Sequence, residues 1–299
     1  MAQSNIVETV DLEKHYKNVV ALDGLSLAVP AGSIYGLLGQ NGAGKTTAIK
    51  ILMGLVRPTA GGAAIFGLPA DQSAASVAIR QRTGFVSDER DLYDFMTVAK
   101  LIAFTASFYP GWRADLAARY VRSFDLPESR VVKALSRGAR TKLALLLAFC
   151  RGAKLLILDE ATSGLDPVAS EEVLQVLVGH VANEGVTVFF SSHNIAEVEQ
   201  IADHVAIIDR GRNVLSGALD DLREAYRRIE FVFDGEAPAL KFHSTGVVRM
   251  ERKGRVLSVL ASSGSEQIVA EGRAHGSLSA QARPVTLKEI FLDIASRER

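Results

Sequence analysis

The sequence predicts an α/β fold: a largely parallel sheet with helices on both faces and a helical subdomain, followed by a small C-terminal α+β domain. Three observations predict it. Apolar runs of strand length alternate with helical patterns through the first two-thirds of the chain, as in a parallel sheet buried on both faces. A glycine-studded loop, "GQNGAGKTT" at 39–47, lies between a strand pattern and a helix pattern. At about residue 222 the pattern changes to short strands and one closing helix.

Residues 5–38 predict β-structure, with turns at Asp23-Gly24 and Pro30-Ala31-Gly32. A helix, "AIKILMGL", follows the glycine loop. "GLVRPTAGGAAIFGLPA" predicts a turn and a short strand, and Thr83–Val86 a further strand. From Thr97 to Cys150 the pattern is helical, in segments separated by Pro110-Gly111 and Pro127. This is the helical subdomain, about residues 89–152, in which Trp112 reads as a packing residue. "KLLILDE" (154–160) and "GVTVFFSSH" (185–193) predict buried strands, and "HVAIIDRGRNVLSG" a strand, turn and strand. The domains are therefore expected at 1–222 and 223–299. In the second, "IEFVFDG", "GVVRMERKGRVLSVLA" and "QIVAEG" predict strands. "TLKEIFLDIASRER" predicts a helix with Leu287, Ile290, Phe291 and Ile294 on one face. That domain reads either as a tail packed for stability or as a dimerisation or regulatory unit.

Composition narrows the function. With 48% hydrophobic residues in 299, a sizeable core can be buried. Lys+Arg and Asp+Glu both number 34, so no electrostatic nucleic-acid binder is expected. The short basic run "RMERKGR" reads as a solvated hairpin end. The single cysteine, Cys150, suits a reducing compartment and a buried, inert thiol. The N-terminal residues show no signal-peptide pattern, and no apolar run reaches the ~20 residues that span a bilayer. A soluble, cytoplasmic protein is expected.

The loop supplies the chemistry. Its spacing, Gly39, four residues, then Gly44-Lys45-Thr46, is the phosphate-binding P-loop pattern. Glycines let successive N–H groups converge on an anion, and the following helix N-terminus adds partial positive charge. Gly39, Gln40, Asn41, Gly42, Ala43, Gly44, Lys45, Thr46 and Thr47 are the candidate phosphate-binding residues. Lys45 is expected at the β- and γ-phosphates, and the Thr46 hydroxyl at Mg²⁺. "LLILDE" ends a buried strand in Asp159 and Glu160. Asp159 is the candidate Mg²⁺ ligand, and Glu160 the group that polarises the attacking water.

The segment "ALSRGARTKLALLLA" resembles the signature region of ATP-binding subunits of ABC transporters. "LSRGA" is similar to their Leu-Ser-Gly-Gly-Gln loop: Ser136 and Gly138 match, while Arg137 and Ala139 replace Gly and Gln. Ser136 stands 24 residues before Glu160. The resemblance implies that Ser136 and Gly138 contact ATP held by a second subunit, most simply a homodimer partner. "SGLDP" resembles the D-loop, with Asp166 linking the two sites, and "SSHN" puts His193 where a switch histidine touches the γ-phosphate. Tyr16 resembles the aromatic that stacks on adenine. Where the family has a Gln linking the Mg²⁺ site to the membrane subunit, "GFVSDERDLY" has Asp88, a possible metal ligand, with Glu89 beside it.

"FYPGW", "KLALLLA" and "TLKEIFLDI" resemble ABC-2 exporter ATPases most. The resemblance implies an ATP- and Mg²⁺-dependent ATPase that powers transport, export first, through integral membrane permease subunits. It would sit peripherally on the inner face of the cell membrane. The alternative is a soluble ABC ATPase without a transport role, such as a cofactor-assembly or regulatory ATPase.

Overall fold

The computed structural model describes residues 4–89 and 91–295, which fall into two compact units that part between Ser216 and Gly217. The first unit opens with β1 (Asn5–Tyr16), β2 (Val19–Pro30) and β3 (Ile34–Leu38). β1 and β2 form a long antiparallel hairpin whose turn is Lys17-Asn18. The turn expected at Asp23-Gly24 is instead a bulge inside β2. Leu12 pairs with Leu25 but Lys14 with Leu22, so β2 carries one extra residue there.

After the glycine loop come α1 (Lys45–Leu52), β4 (Ala60–Ile65), β5 (Leu68–Pro69), α2 (Ser73–Arg82) and β6 (Thr83–Val86). α2 has no counterpart in the sequence reading, since its apolar residues are small and make no clear stripe. The helical subdomain follows as α3 (Val98–Ala106), α4 (Ala114–Ser123) and α5 (Arg137–Phe149). Thr97 and Ser136 cap α3 and α5 by accepting from Lys100 N and Ala139 N. The unit continues through β7 (Leu155–Asp159), α6 (Pro167–Glu184), β8 (Thr187–Ser192), α7 (Ile195–Ile201), β9 (His204–Asp209) and β10 (Arg212–Ala218), whose last two residues fall past the division. α6 starts on Asp166 with Pro167 at its first position and stops at Gly185, φ +65°.

Two sheets build this unit, β2-β1-β4-β5 and β10-β9-β3-β8-β7-β6. β9, β3, β8, β7 and β6 run parallel, and every residue of β3, β7 and β8 is buried. β6 and β7 are neighbours in the sheet, so the helical subdomain is an insertion between adjacent strands. The core joins the two sheets through Ile49 and Leu52 of α1, with Val7, Leu25 and Val29 on one side and Leu37, Ile157 and Phe189 on the other. Cys150 is buried and free, and burial pushes its thiol up to about 12, which keeps it inert.

The second unit holds α8 (Leu219–Ala225), β11 (Arg227–Val232), β12 (Val247–Lys253), β13 (Val256–Ala261), α9 (Ser265–Ala274), β14 (Ser279–Pro284) and α10 (Leu287–Ala295). β13 and β14 both pair antiparallel with β11, so β13-α9-β14 is a split β-α-β crossover around it. The strand expected at "QIVAEG" is helix α9. Ile268 and Gly272, four apart, face inward, and a Cβ at Gly272 would collide with Phe231. β14 went unread because "SAQARP" carries no apolar alternation. α10 appears as expected, with Leu287 and Ile290 fully buried; its side chains from Ile294 onward lie outside the described residues. Arg228 of β11 reaches Asp293 of α10 at 2.6 Å.

His180 of α6 yields a test of the first unit's packing. It is 3% exposed, stacks on Phe149 at 4.0 Å, and its Nδ1 lies 3.0 Å from the Tyr120 hydroxyl. Burial lowers its pKa to about 4, with Arg119 and Arg113 acting in the same direction and Glu184 against it. The unfolded chain takes up this proton near pH 6.5 and the folded chain only near pH 4, so stability falls as pH drops through that window. Between pH 7.5 and 5 the wild type is expected to lose about 2 kcal/mol more than His180→Gln in urea unfolding. Equal losses would show that His180 is not held neutral.

Candidate nucleotide site

The strand order places three loops side by side. Leu38 of β3 pairs with Ser192 of β8, and Ser191 of β8 with Asp159 of β7. The C-terminal ends of these strands release the glycine loop, His193 and Glu160 onto one edge of the sheet. β6, beyond β7, brings Asp88 to the same edge. A cleft of about 370 Å³ results, lined by Gln40, Asn41, Gly42, Gly44, Lys45, Thr46, Thr47, Asp88, Glu160, Ser163 and His193, with Val19 and Ala21 of β2.

The glycine loop is tightly framed. Gly44 has φ +109°, and a Cβ there would stand 2.5 Å from the Ala21 carbonyl oxygen. Gly39 has no room either, with Ile208 O 2.6 Å from the position of a Cβ. The loop therefore keeps its bare backbone turned to the cleft at the start of α1. Ala43, 5% exposed, packs into the core beneath it.

Lys45 is 5% exposed and donates to Gly39 O at 2.7 Å and Gln40 O at 3.2 Å. Its Nζ also stands 3.1 Å from Glu160 Oε1, an ion pair without good hydrogen-bond alignment. The other oxygen, Oε2, accepts from His193 Nδ1 at 2.7 Å, which puts a proton on that nitrogen. Glu160 has φ +50°, a left-handed conformation costing a non-glycine residue about 1 kcal/mol. Its N–H is satisfied by Ser191 Oγ at 3.0 Å.

Asp159 is 4% exposed and accepts from Ser191 Oγ at 2.7 Å and Thr46 Oγ1 at 3.3 Å. Burial raises its pKa; the Ser191 and Thr46 hydroxyls oppose this, and the nearby Glu160 and Asp88 charges add to it. A cation at Thr46 would relieve this crowding of negative charge. The donors, one hydroxyl and carboxylates, are the hard oxygens that suit Mg²⁺, which takes few protein ligands and leaves the rest to phosphate and water. Among the described residues no cluster of three or more His, Cys, Asp or Glu side chains could hold a metal unaided.

A family profile described as ABC transporter matches residues 22–163. The bacitracin transport ATP-binding protein BcrA of Bacillus licheniformis is 30% identical over 262 residues, covering 83% of this chain and 85% of that protein. The chain belongs to the ABC transporter ATP-binding family. The Nod factor export ATP-binding protein I of Burkholderia orbicola (strain AU 1054) is 32% identical over 298 residues, covering 96% of each. A solved ATP-binding subunit of an ABC transporter superposes with TM-score 0.65 at 29% identity, covering 73% of this chain and 92% of that one. Membership establishes the ABC ATPase fold and implies ATP binding and hydrolysis.

The remaining sequence-derived residues of this ABC ATPase lie outside the lining of the cleft. Tyr16 ends β1, 42% exposed, with Lys14 Nζ 5.0 Å from its ring centroid. Ser136 caps α5, Gly138 follows on that helix, and Asp166 caps α6 by accepting from Val168 N and Ala169 N, both at 3.0 Å. Two of the three departures from the family pattern face each other: Arg137 Nη2 lies 4.0 Å from Asp88 Oδ1. Arg137 also covers Gly164, where a Cβ would collide with the guanidinium. Both charged groups are about half exposed, so this pair contributes under about 1 kcal/mol. Ser191 escaped the sequence reading. The available signal was a pair of serines closing the otherwise apolar run "TVFFSS".

Removing one partner of a buried ion pair is costly, on the order of 3–5 kcal/mol. Lys45→Ala should therefore lower thermal stability as well as ATP affinity, the latter by at least about tenfold in calorimetry, a loss of about 1.4 kcal/mol. Unchanged ATP affinity would contradict the phosphate-binding role.

Proposed function

We propose that this chain is the ATP-binding and ATP-hydrolysing subunit of an ABC transporter, of the exporter type, working through partner membrane subunits. The observation that carries it is the Glu160 carboxylate, held between Lys45 and His193 at 3.1 and 2.7 Å beside the glycine loop. In this reading the γ-phosphate draws Lys45 away from Glu160, and the freed carboxylate takes a proton from the attacking water. His193 contacts the γ-phosphate. Thr46, Asp159 and Asp88 are the residues that would hold Mg²⁺, which would neutralise phosphate charge. Tyr16 stacks on adenine from the end of β1.

Ser136, Gly138 and Asp166 act across a homodimer in the same reading. A signature loop at the start of a capped helix offers N–H donors to an anion brought by a second copy. ATP then closes the dimer and hydrolysis reopens it. The relatives named for bacitracin transport and Nod factor export support the exporter assignment.

The membrane partner has a candidate docking face. Tyr93, Phe95, Phe104 and Phe108 are 52%, 76%, 38% and 63% exposed. Their rings meet edge to face: Tyr93 lies 5.9 Å from Phe95 and 5.5 Å from Phe104, and Phe104 lies 5.0 Å from Phe108, between centroids. Such a contiguous aromatic patch favours a protein interface. No helix among the described residues is long and apolar enough to cross a membrane, so a peripheral place on the inner membrane face would come through this contact.

Glu160→Gln should keep ATP affinity within about threefold while cutting turnover by about 10²–10⁴-fold. Turnover near the wild-type rate would remove Glu160 as the base. Phe95→Ala with Phe108→Ala should leave ATP affinity unchanged and abolish co-purification of a membrane subunit from native membranes. Undiminished co-purification would move the docking face elsewhere.

A further inference from the structure

Glu197, in the first turn of α7, lies outside the nucleotide cleft and belongs to none of the motifs above. It nevertheless gathers hydroxyl donors from three different segments. Thr162 Oγ1 donates to Glu197 Oε2 at 2.7 Å, Ser192 Oγ to the same oxygen at 2.9 Å, and Ser170 Oγ to Oε1 at 3.2 Å. Thr162 stands two residues after Glu160 and Ser192 one residue before His193. Ser170 lies in the first turn of α6, whose cap is Asp166. Glu197 also lines a depression of about 350 Å³ that shares Ser163 and His193 with the nucleotide cleft.

A half-buried carboxylate is costly to place unless its lone pairs are used, and here both oxygens accept. Ser192, 1% exposed, is further fixed because its Oγ accepts from Asn194 N at 2.9 Å. The geometry points to Glu197 as a positioning residue. We propose that it clamps the loop after Glu160 to the loop of His193, and so sets the 2.7 Å contact between these two side chains. It does not line the cleft, so it acts through His193 and Glu160. The proposal rests on the reading of these two as the hydrolytic pair. Misplacing a catalytic group by about 1 Å is enough to cost roughly a hundredfold in rate.

The test uses the full chain and measures kcat, KM for ATP and melting temperature for Glu197→Ala, Glu197→Gln, His193→Ala and the Glu197→Ala/His193→Ala double variant. Glu197→Ala should lower kcat by about tenfold or more with KM within about twofold, since orientation rather than binding is lost. Glu197→Gln keeps the shape but only one accepting oxygen, so its kcat should fall between wild type and Glu197→Ala. The double variant should be no slower than His193→Ala by more than about twofold, because both changes remove one interaction. If His193→Ala does not slow turnover, the reading of the hydrolytic pair fails. If it does, but Glu197→Ala is as fast as wild type or the two losses multiply, the clamp proposal alone is overturned. Should Glu197→Ala not fold, Glu197→Gln and its double variant with His193→Ala carry the same comparison, and a wild-type kcat for Glu197→Gln overturns the clamp.

Discussion

β8 lies hydrogen-bonded between β3 and β7, and this pairing governs the rest of the site. All three strands are buried throughout, so their register is held by side chains on both faces. With Leu38 beside Ser192 and Ser191 beside Asp159, the strand ends cannot slide past one another. Strand register therefore brings the glycine loop, His193 and Glu160 to one edge of the sheet, and side-chain contacts there set the final distances. A one-residue slip of β8 would turn Ser191 away from Asp159 and put Ser192 in its place.

On that frame the charges are arranged with unequal firmness. Lys45 and Glu160 are almost out of solvent, at 5% and 12% side-chain exposure, so their attraction is weakly screened and either charge is costly to leave unpaired. Arg137 and Asp88, half exposed and 4.0 Å apart, form a pair that water screens and that parts easily. The first pair holds the Glu160 carboxylate in place beside the glycine loop. The second ties the start of α5 to the Asp88 loop only weakly. Serine hydroxyls join these parts: Ser191 bridges Asp159 and the Glu160 backbone, and Ser192 bridges Glu197 and the loop of His193.

The second unit is organised on different terms. β11 is one of the two inner strands of its four-stranded sheet, with Phe231 and Ile229 in one apolar core and Arg228 turned to Asp293 of α10. Neighbouring residues of β11 thus serve opposite faces, the period-two alternation of a strand. Arg249 joins the same carboxylate at 3.5 Å, and Arg283 pairs with Glu289 at 2.6 Å, so α10 is held by a network rather than one bridge.

The glycine loop, the Asp159-Glu160 pair and the buried strands around them were legible in the sequence, because each is a local pattern with a local cause. Glycines appear where no Cβ fits, and unbroken apolar runs where both faces of a strand are covered. The helices of the subdomain and α10 were legible for the same reason, their apolar spacing being repeated over two or more turns. Other elements were decided by contacts distant in the chain. "QIVAEG" has β-branched residues that read as strand, yet Phe231 receives it as a helix, with Gly272 where no side chain fits. Gly24 reads as a turn, but pairing with β1 on either side makes it a bulge. Residue spacing could place Asp88 and Arg137 as separate departures from a pattern, while only the packed structure brings them face to face. Glu197 carries no motif at all; its three hydroxyl partners come from the turn after β7, the start of α6 and the end of β8, and only the folded chain assembles them. Short-range chemistry is thus encoded where it stands, whereas the polar contacts that orient it depend on which strands and helices pack side by side.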